Sequence, residues 1–173
     1  MNASPDALPD IVWHDSVGST NDEAHARVAS QNLEPVWIAA AEQTKGRGRL
    51  GRHWVSRPGN LYASLIWPSK VELKRLASLS LVAGLAVRDA IIASGIAAPV
   101  QLKWPNDVLV SARKVSGVLI ETTGMQGAHA AIIGCGLNLL HHPSETRWPA
   151  TNLADCGTEI EPRDMLDNLR SAM

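Results

Sequence analysis

The sequence predicts a sandwich of a mixed β-sheet and a few helices, of the α/β or α+β class. Short apolar runs bounded by glycine, proline or asparagine recur along the chain, as is typical of strands. Only three stretches indicate helices. The short turns between the later runs favour antiparallel neighbours. At 173 residues the chain is long enough for one domain with a substantial core.

Seven apolar runs are predicted to form strands. They comprise residues 11–14, 36–43, 60–67, 100–104, 108–110, 115–121 and 128–139. Pro68 is expected to end the third strand, because it has no backbone N–H to donate to a neighbour. Residues 111–114 and 124–127 are predicted turns, so the last three strands should be antiparallel neighbours.

Three helices are predicted, at residues 18–31, 72–94 and 162–170. In the first, Thr20 and Glu23 have the spacing of a capping box, in which each side chain satisfies the other's free backbone donor. The second has apolar residues at helical spacing and should be the main helix on the sheet. Residues 1–10 are expected to form a loose lead-in, and residues 11–173 a single domain.

Charge and cysteine content argue against several classes of protein. The chain has 16 cationic and 17 anionic side chains, a balance that disfavours a general nucleic-acid or membrane binder. Cys135 and Cys156 offer no disulfide framework, so a cytoplasmic location is expected. The N-terminus lacks the pattern of a signal peptide. The most apolar window, residues 76–92, is interrupted by polar and charged residues and predicts a core helix, not a membrane span.

The most distinctive stretch is the basic segment 42–54, in which glycines alternate with arginines after a buried strand. No acidic residue lies between Gln43 and Val71, whereas six cations do: Lys45, Arg47, Arg49, Arg52, Arg57 and Lys70. Such a loop is expected to bind an anion, either a phosphorylated small molecule, a carboxylate or a nucleic-acid backbone. A solvated flexible loop is the alternative.

Three further clusters are candidates for chemistry. The segment 103–107 places a cation and a carboxylate at the end of a strand, although it also fits an Asn-Asp turn. Lys114 precedes a strand and lies three residues before Gly117; the alternative is an ordinary edge lysine. The segment 134–138 has glycines that would let backbone approach a ligand or another strand. It is not a dinucleotide fingerprint, because the third glycine that this pattern needs is missing.

Taken together, these clusters resemble the catalytic domain of biotin protein ligases. The matching pieces are residues 18–21, Gln43 with residues 46–54, and residues 60–62, 103–107, 114–121 and 134–138. They occur in the family's order and span roughly residues 11–153. The resemblance implies an α+β fold with a mixed, mainly antiparallel sheet packed by a few helices, similar to that of class II aminoacyl-tRNA synthetases.

The resemblance also implies a two-step reaction. Biotin and Mg-ATP would give biotinoyl-5′-adenylate and pyrophosphate, and a lysine of a biotin carboxyl carrier protein would then accept the biotin. Because a carboxylate must attack a phosphate, cations are needed to screen the two anions and to hold them in line. Biotin, ATP and Mg²⁺ are therefore the expected small molecules.

Site residues carry over from the matching motifs. The expected catalytic residues are Arg49, Lys103, Asp107 and Lys114. The expected biotin contacts are Ser19, Thr20, Asn21, Gln43, Gly46, Arg47, Arg49, Lys114 and Gly117. The expected ATP or adenylate contacts are Arg49, Arg52, Trp54, Asn60, Lys103, Asn106, Asp107, Lys114, Gly136 and Asn138. Asp107 is a candidate either for binding Mg²⁺ or for orienting the acceptor lysine.

Two departures from the family bear on partners. About ten residues precede the first strand, so no operator-DNA binding is expected, and the family's small C-terminal β domain is expected to be absent. A homodimer is possible, and no membrane partner is expected. Two other functions stay open: a lipoate or other acyl-adenylate ligase of the same fold, and a non-enzymatic module that binds RNA or nucleotides through the basic loop.

Overall fold

The computed structural model describes residues 8–69, 78–125, 128–146 and 148–173 of the chain. The strands are β1 (Asp10–Val17), β2 (Val36–Gln43), β3 (Leu61–Ser69), β4 (Val100–Lys103), β5 (Asp107–Val110), β6 (Arg113–Met125) and β7 (Ala128–Leu137). The helices are α1 (Thr20–Ala29), α2 (Leu79–Ala93) and α3 (Pro162–Ala172). In this part of the chain no helix has the length and apolar character needed to cross a membrane.

All seven strands form one sheet in the order β1-β2-β3-β7-β6-β5-β4. Only β1 and β2 run parallel to each other, with α1 as their connection, and every other pair of neighbours is antiparallel. The predicted α+β class, with a mixed and mainly antiparallel sheet, is therefore confirmed.

The two faces of the sheet are covered unequally. Along β2, Trp37 and Ala39 belong to the main core, which also contains side chains of α2 and α3. Val36 and Ile38 point the other way, into a smaller core with Ala24 and Val28 of α1. Because α1 is short, it covers only part of its face and leaves room for a cavity beyond its N-terminus.

Strand β3 differs from the prediction at Pro68, which lies inside the strand and does not end it. The pairing between β2 and β3 stops at Ile66, so no strand needs a backbone donor from Pro68 on that side. On the other side Pro68 lies opposite Ala130 of β7. The prediction failed because β3 has β2 as a neighbour only as far as Ile66. Beyond that residue β3 is an edge strand on this side, where a proline is tolerated.

The predicted capping box of α1 is wrong. The N-cap residue is Ser19, and its side chain makes no capping hydrogen bond. Thr20 is instead the first helical residue, and its backbone N–H donates to Oε1 of Gln43 over 2.8 Å. A distant residue thus satisfies a free donor at the helix start that a local cap would otherwise bond.

Helix α2 and the β5–β6 hairpin refine two other predictions. Helix α2 lies within the predicted range, while Leu73 and Leu76 of that range fall outside the described residues. The predicted turn 111–114 is shorter, since Ser111 and Ala112 alone have positive φ angles of 48° and 61°, typical of a two-residue hairpin. Strand β6 consequently begins at Arg113 and includes Lys114.

Buried Asn60 ties the end of β7 to the start of β3. Its Oδ1 accepts hydrogen bonds from the backbone N–H groups of Leu139, Leu140 and His141, over 2.9, 2.9 and 3.0 Å. Its Nδ2 donates to the carbonyl oxygen of His141 over 2.9 Å. One side chain therefore supplies the hydrogen bonds of a whole turn of irregular backbone.

Replacing Asn60 with alanine should lower the free energy of unfolding by about 2–4 kcal/mol, because three backbone donors lose a common acceptor. Asn60→Asp keeps the acceptor and should recover most of that loss. Asn32→Ala, at a partly exposed asparagine whose side chain makes a single local hydrogen bond, is the control. Urea denaturation measures all three; an Asn60→Ala protein as stable as the Asn32→Ala control would contradict the prediction.

Candidate active site

A cavity of about 830 Å³ lies on the face of the sheet beyond the N-terminus of α1. Its walls come from the helix start, the end of β2, residues 47–55, the β4–β5 turn, and residues 143–146 and 148–150. Its floor is β6 and β7. Of the predicted site residues, these line it: Ser19, Thr20, Asn21, Gln43, Arg47, Arg49, Arg52, Trp54, Lys103, Asn106, Asp107, Lys114, Gly117, Gly136 and Asn138.

Gly46 and Asn60 do not line this cavity, although both were predicted to contact a ligand. A Cβ atom on Gly46 would lie 2.5 Å from Oγ of Ser56 and 2.6 Å from the carbonyl oxygen of Trp54. The glycine is thus needed for close packing of backbone. The side chain of Asn60 instead forms hydrogen bonds with the backbone of the turn that follows β7.

Residues 46–54 of the basic segment fold back on themselves as a hairpin. The N–H of Gly48 donates to the carbonyl oxygen of Arg52 over 2.7 Å, and the N–H of Trp54 donates to that of Gly46 over 3.0 Å. Leu50 at the tip has a φ of 58°. These hydrogen bonds give the segment a defined hairpin conformation.

Arg47 connects this hairpin to the helix and the sheet. Its Nη1 lies 2.6 Å from Oδ1 of Asp22 in α1, and its Nη2 lies 2.9 Å from Oε2 of Glu121 in β6. Burial would lower the pKa of Arg47, but the hydrogen bonds and charges of the two carboxylates outweigh burial and leave that pKa raised. The guanidinium is therefore firmly charged and already paired.

Glu121 is the less exposed of the two carboxylates that bind Arg47. Burial would raise the pKa of its carboxyl group, but hydrogen bonds from Asn21 and Arg47, with the charges of Arg47 and His25, outweigh burial and hold that pKa below its ordinary value. The Nδ2 of Asn21 donates to Oε2 of Glu121 over 2.6 Å. Glu121 thus binds the hairpin and the helix start at once.

Arg49 reaches the opposite wall of the cavity. Its Nη1 donates to Oδ1 of Asn106 over 3.1 Å. Asn106 in turn donates through Nδ2 to the carbonyl oxygen of Val118 in β6, over 2.8 Å. The hairpin therefore crosses the cavity and is tied down on both sides.

Glycines in β6 and β7 make room for the side chains above the floor. A Cβ on Gly134 would overlap the amide of Asn21. A Cβ on Gly136 would lie 2.6 Å from the indole ring of Trp54, and one on Gly117 would lie 3.2 Å from that ring and 3.4 Å from Nζ of Lys114. These glycines leave room for the side chains of Asn21 and Trp54, whereas the prediction for the segment 134–138 was approach to a ligand or another strand.

Lys114 reaches the cavity because of a β-bulge. The register between β5 and β6 shifts between Val108 and Leu109: Leu109 lies opposite Lys114, while Val108 lies opposite Ser116. The extra residue, Val115, points into the main core. Simple alternation would place Lys114 on the core face with Val118, but the bulge turns its side chain to the face of Gly117.

The position of Lys114 is fixed on both sides. Its N–H donates to the carbonyl oxygen of Pro149, and its own carbonyl oxygen accepts from Thr151, each over 2.8 Å. Its Nζ lies 2.7 Å from Oδ1 of Asp107 and 5.4 Å from the ring centroid of Trp54. Lys114 is thus an oriented ammonium in the cavity and not an ordinary edge lysine.

The segment 103–107 is both a turn and a wall of the site. Lys103 and Asp107 face each other as the pair next to the turn between β4 and β5. The Nζ of Lys103 lies 4.1 Å from the ring centroid of Trp148, a cation–π distance. The segment 103–107 is therefore both a turn between two strands and a pair of charged side chains at the cavity, as the two interpretations of the sequence proposed.

The residues do not form a metal site of the usual composition. In the described ranges no three His, Cys, Asp or Glu side chains come together as metal ligands. Asp107, the candidate ligand, has one oxygen held by Lys114. Binding of Mg²⁺ by Asp107 therefore stays a prediction.

Sequence reasoning missed several residues of the site. Glu121 ends a matching motif but had been given no role. Ser64 and Ser56 lie beneath the cavity and bond to residues that line it. Trp148 lines the cavity from an irregular segment with no periodic pattern. Only Glu121 had a usable signal, its place in the motif 114–121.

The mouth of the cavity has an apolar rim on the hairpin tip and the β4–β5 turn. Leu50 is 89% exposed and Trp104 is 78% exposed, and both line the cavity. Trp148 and Val55 add two more exposed apolar side chains. Exposed aromatic and aliphatic groups beside a site are typical of a protein contact.

The chain belongs to the biotin/lipoate A/B protein ligase family, whose sequence model matches residues 13–138. The predicted resemblance and the predicted class of enzyme, a ligase, are thereby confirmed. A biotin--[acetyl-CoA-carboxylase] ligase of Paracoccus denitrificans is 38% identical over 162 residues, which are 89% of this chain and 67% of that protein. The bifunctional ligase/repressor BirA of Bacillus subtilis is 35% identical over 86% of this chain, which spans only 47% of it.

Solved biotin protein ligases superimpose well on this fold. The enzyme of Leishmania major in complex with biotinyl-5-AMP has a TM-score of 0.82 at 32% identity, covering 96% of this chain and 74% of its own. The enzyme of Aquifex aeolicus in complex with biotin and ATP has a TM-score of 0.75 at 34% identity, covering 94% of this chain and 68% of its own. A lipoate protein ligase of Thermoplasma acidophilum, with a TM-score of 0.66 at 12% identity, shares the fold.

Gly136→Ala should lower the free energy of unfolding by about 1–3 kcal/mol, because the new methyl group must displace the Trp54 ring. Gly48→Ala is the matched control in the same site, since its nearest neighbour would be 3.7 Å away. Tryptophan fluorescence should shift only in Gly136→Ala. Equal stability of both variants in urea denaturation would show that the indole ring is not held against Gly136.

Proposed function

We propose that the chain activates biotin with ATP to biotinoyl-5′-adenylate and transfers the biotinoyl group to a lysine of a biotin carboxyl carrier protein. The observation that carries this proposal is one cavity that joins the polar helix start 19–21 to the Lys114–Asp107 pair. The names of the relatives and the ligands of the solved neighbours support it.

The first step brings two anions together. A carboxylate oxygen of biotin attacks the α-phosphorus of ATP, and the bond to the bridging oxygen of the β-phosphate breaks, so that pyrophosphate leaves. Arg49, Lys103 and Lys114 line the cavity and supply positive charge where this repulsion must be screened. Lys114 is the residue best placed to stabilise charge that develops during the step, because its backbone and its ammonium are both held.

Magnesium enters this proposal only as the ion that accompanies ATP. Asp107 is the one metal ligand predicted from the sequence, and its carboxylate is paired with Lys114. The pair suits the second proposed role of Asp107 better. A carboxylate beside the cavity can orient the acceptor lysine of the carrier by a charge-assisted hydrogen bond.

The second step needs a protein partner at the cavity mouth. The amine of the carrier lysine attacks the carbonyl carbon of the mixed anhydride, AMP leaves, and the amine loses a proton. The apolar rim of Leu50, Val55, Trp104 and Trp148 offers a surface where a carrier domain could dock with its lysine directed inward.

Two alternatives are less well supported. Lipoate has no ureido group, so it offers no N–H groups to the polar side chains of Ser19, Thr20 and Gln43 that line the cavity. An RNA-binding module would use the basic segment as free cations, whereas Arg47 and Arg49 hold Asp22, Glu121 and Asn106. The absence of operator-DNA binding, a homodimer, a cytoplasmic location and the domain limits stay predictions.

A ligand panel tests the proposal. Biotin should raise the melting temperature, and biotin with Mg-ATP should raise it further, because ligands of the native state stabilise it by mass action. Lipoate and a short RNA are the comparison ligands. A shift with lipoate or with RNA, and none with biotin, would replace the proposed substrate.

Lys114→Ala should slow biotin-dependent pyrophosphate release by about 10²–10³-fold, since removing one donor to a developing charge typically costs that much. Lys114→Arg should rescue only part of the rate, because a planar guanidinium places its charge differently. Lys45→Ala removes an exposed lysine outside the cavity and is the control. Single-turnover adenylate formation, with circular dichroism, measures the effect; a folded Lys114→Ala protein within threefold of the parent would refute it.

A further inference from the structure

We propose that Trp54 is a positioning residue, which holds the ammonium of Lys114 over the floor of the cavity through a cation–π contact and leaves N–H donors of that ammonium to the substrates. This inference rests on the proposed function, because that function gives Lys114 its part in adenylate formation. It adds a neutral partner for the cation beside the carboxylate of Asp107.

The ring of Trp54 and the ammonium of Lys114 lie over the same bare part of the sheet. Gly117 of β6 and Gly136 of β7 are opposite each other in the ladder. A Cβ atom on Gly136 would lie 2.6 Å from Cε2 of the indole ring. One on Gly117 would lie 3.2 Å from Cζ3 of that ring and 3.4 Å from Nζ of Lys114. The Nζ atom is 5.4 Å from the ring centroid, within the range of a cation–π interaction.

The indole ring is fixed without the use of its N–H group. Nε1 of Trp54 is buried and has no hydrogen-bond partner among the described residues. The backbone is held instead: the N–H of Trp54 donates to the carbonyl oxygen of Gly46, and its carbonyl oxygen accepts from Oγ of Ser56, each over 3.0 Å. The ring therefore offers its face to the surroundings, and the negative potential of an aromatic face attracts a cation.

A neutral partner suits an ammonium that must act on two anions. A lysine ammonium has three N–H donors, and Oδ1 of Asp107 lies 2.7 Å from Nζ of Lys114, where it takes one of them. A second carboxylate would cancel the charge that the biotin carboxylate and the α-phosphate require. An aromatic face attracts the cation but carries no net charge, so donors and positive charge remain for the substrate oxygen atoms.

The ring also stays in place when Asp107 acts elsewhere. In the proposed function the carboxylate of Asp107 orients the acceptor lysine, so Lys114 shares that carboxylate with a second amine in the transfer step. The side chain of Lys114 is 30% exposed, and a partly desolvated cation gains more from an aromatic face than an exposed cation does. Trp54 is thus the partner that keeps the ammonium in the cavity through both steps.

Fluorination of the indole ring tests the electrostatic part of this contact. Mono-, di- and tetrafluorinated tryptophan at position 54 nearly keep the shape of the ring and progressively remove the negative potential of its face. Because Nε1 makes no hydrogen bond in the described part of the chain, the greater acidity of a fluorinated N–H has no partner to affect. Single-turnover adenylate formation at saturating biotin and Mg-ATP should slow by about 3–30-fold across the series, while Kd for biotin stays within about twofold.

Two controls separate the positioning of Lys114 from other effects of the ring. Trp13 lies outside the cavity, with the guanidinium of Arg163 4.4 Å from its ring centroid, so its tetrafluorination should leave the rate unchanged. In the Lys114→Ala background, tetrafluorination of Trp54 should change the residual rate by less than about twofold, since no ammonium is left to hold. Equal slowing in both backgrounds would show that the ring acts directly on the substrates, and it would overturn the inference.

NMR of the ligand-free protein with labelled lysine measures the position of the side chain independently of activity. The ring current of Trp54 should shift the Cε–H₂ signal of Lys114 upfield of that of the exposed Lys45, and Trp54→Leu should remove the shift. Loss of the signal in Lys114→Arg identifies it. An unshifted Lys114 signal in the parent overturns the inference, even if Trp54→Leu does not fold. A shifted signal in a parent that forms no adenylate would confirm the contact and overturn the proposed function.

Discussion

The site depends on glycines in β6 and β7, because they allow side chains to pack directly against the backbone of the sheet. Gly117, Gly134 and Gly136 leave the floor of the cavity without Cβ atoms, and Trp54 and Asn21 lie directly above it. Since Asn21 can then reach Glu121, the helix start is bonded to the sheet. The cavity wall and the hairpin both require those missing side chains.

Charge in the cavity is arranged in pairs that a substrate can extend. Arg47 is balanced by Asp22 and Glu121, and Lys114 is balanced by Asp107. Pairing keeps a concentration of cations compatible with a folded protein. Such an arrangement holds the cations in place before an anionic ligand arrives, so little reorganisation is needed when charge develops at phosphorus.

Local patterns predicted the regular elements well and their exceptions poorly. Strand β2 was predicted with the bounds that it has, because an apolar run with a polar end leaves little choice. Pro68 and the capping box failed for a common reason. At the start of α1 the distant Gln43 bonds the free N–H of Thr20, and at Pro68 strand β2 is no longer a neighbour. A local rule cannot take either fact into account.

By itself, the sequence determined the fold class, the family resemblance and most of the residues that line the cavity, since motifs and periodicity are local properties. Only the tertiary structure decided how those residues work. Asn21 and Glu121 are 100 residues apart in sequence, and no spacing rule joins them. Lys114 faces the cavity because one extra residue in β6 breaks the two-residue alternation of a strand, and that bulge is defined by the pairing with β5.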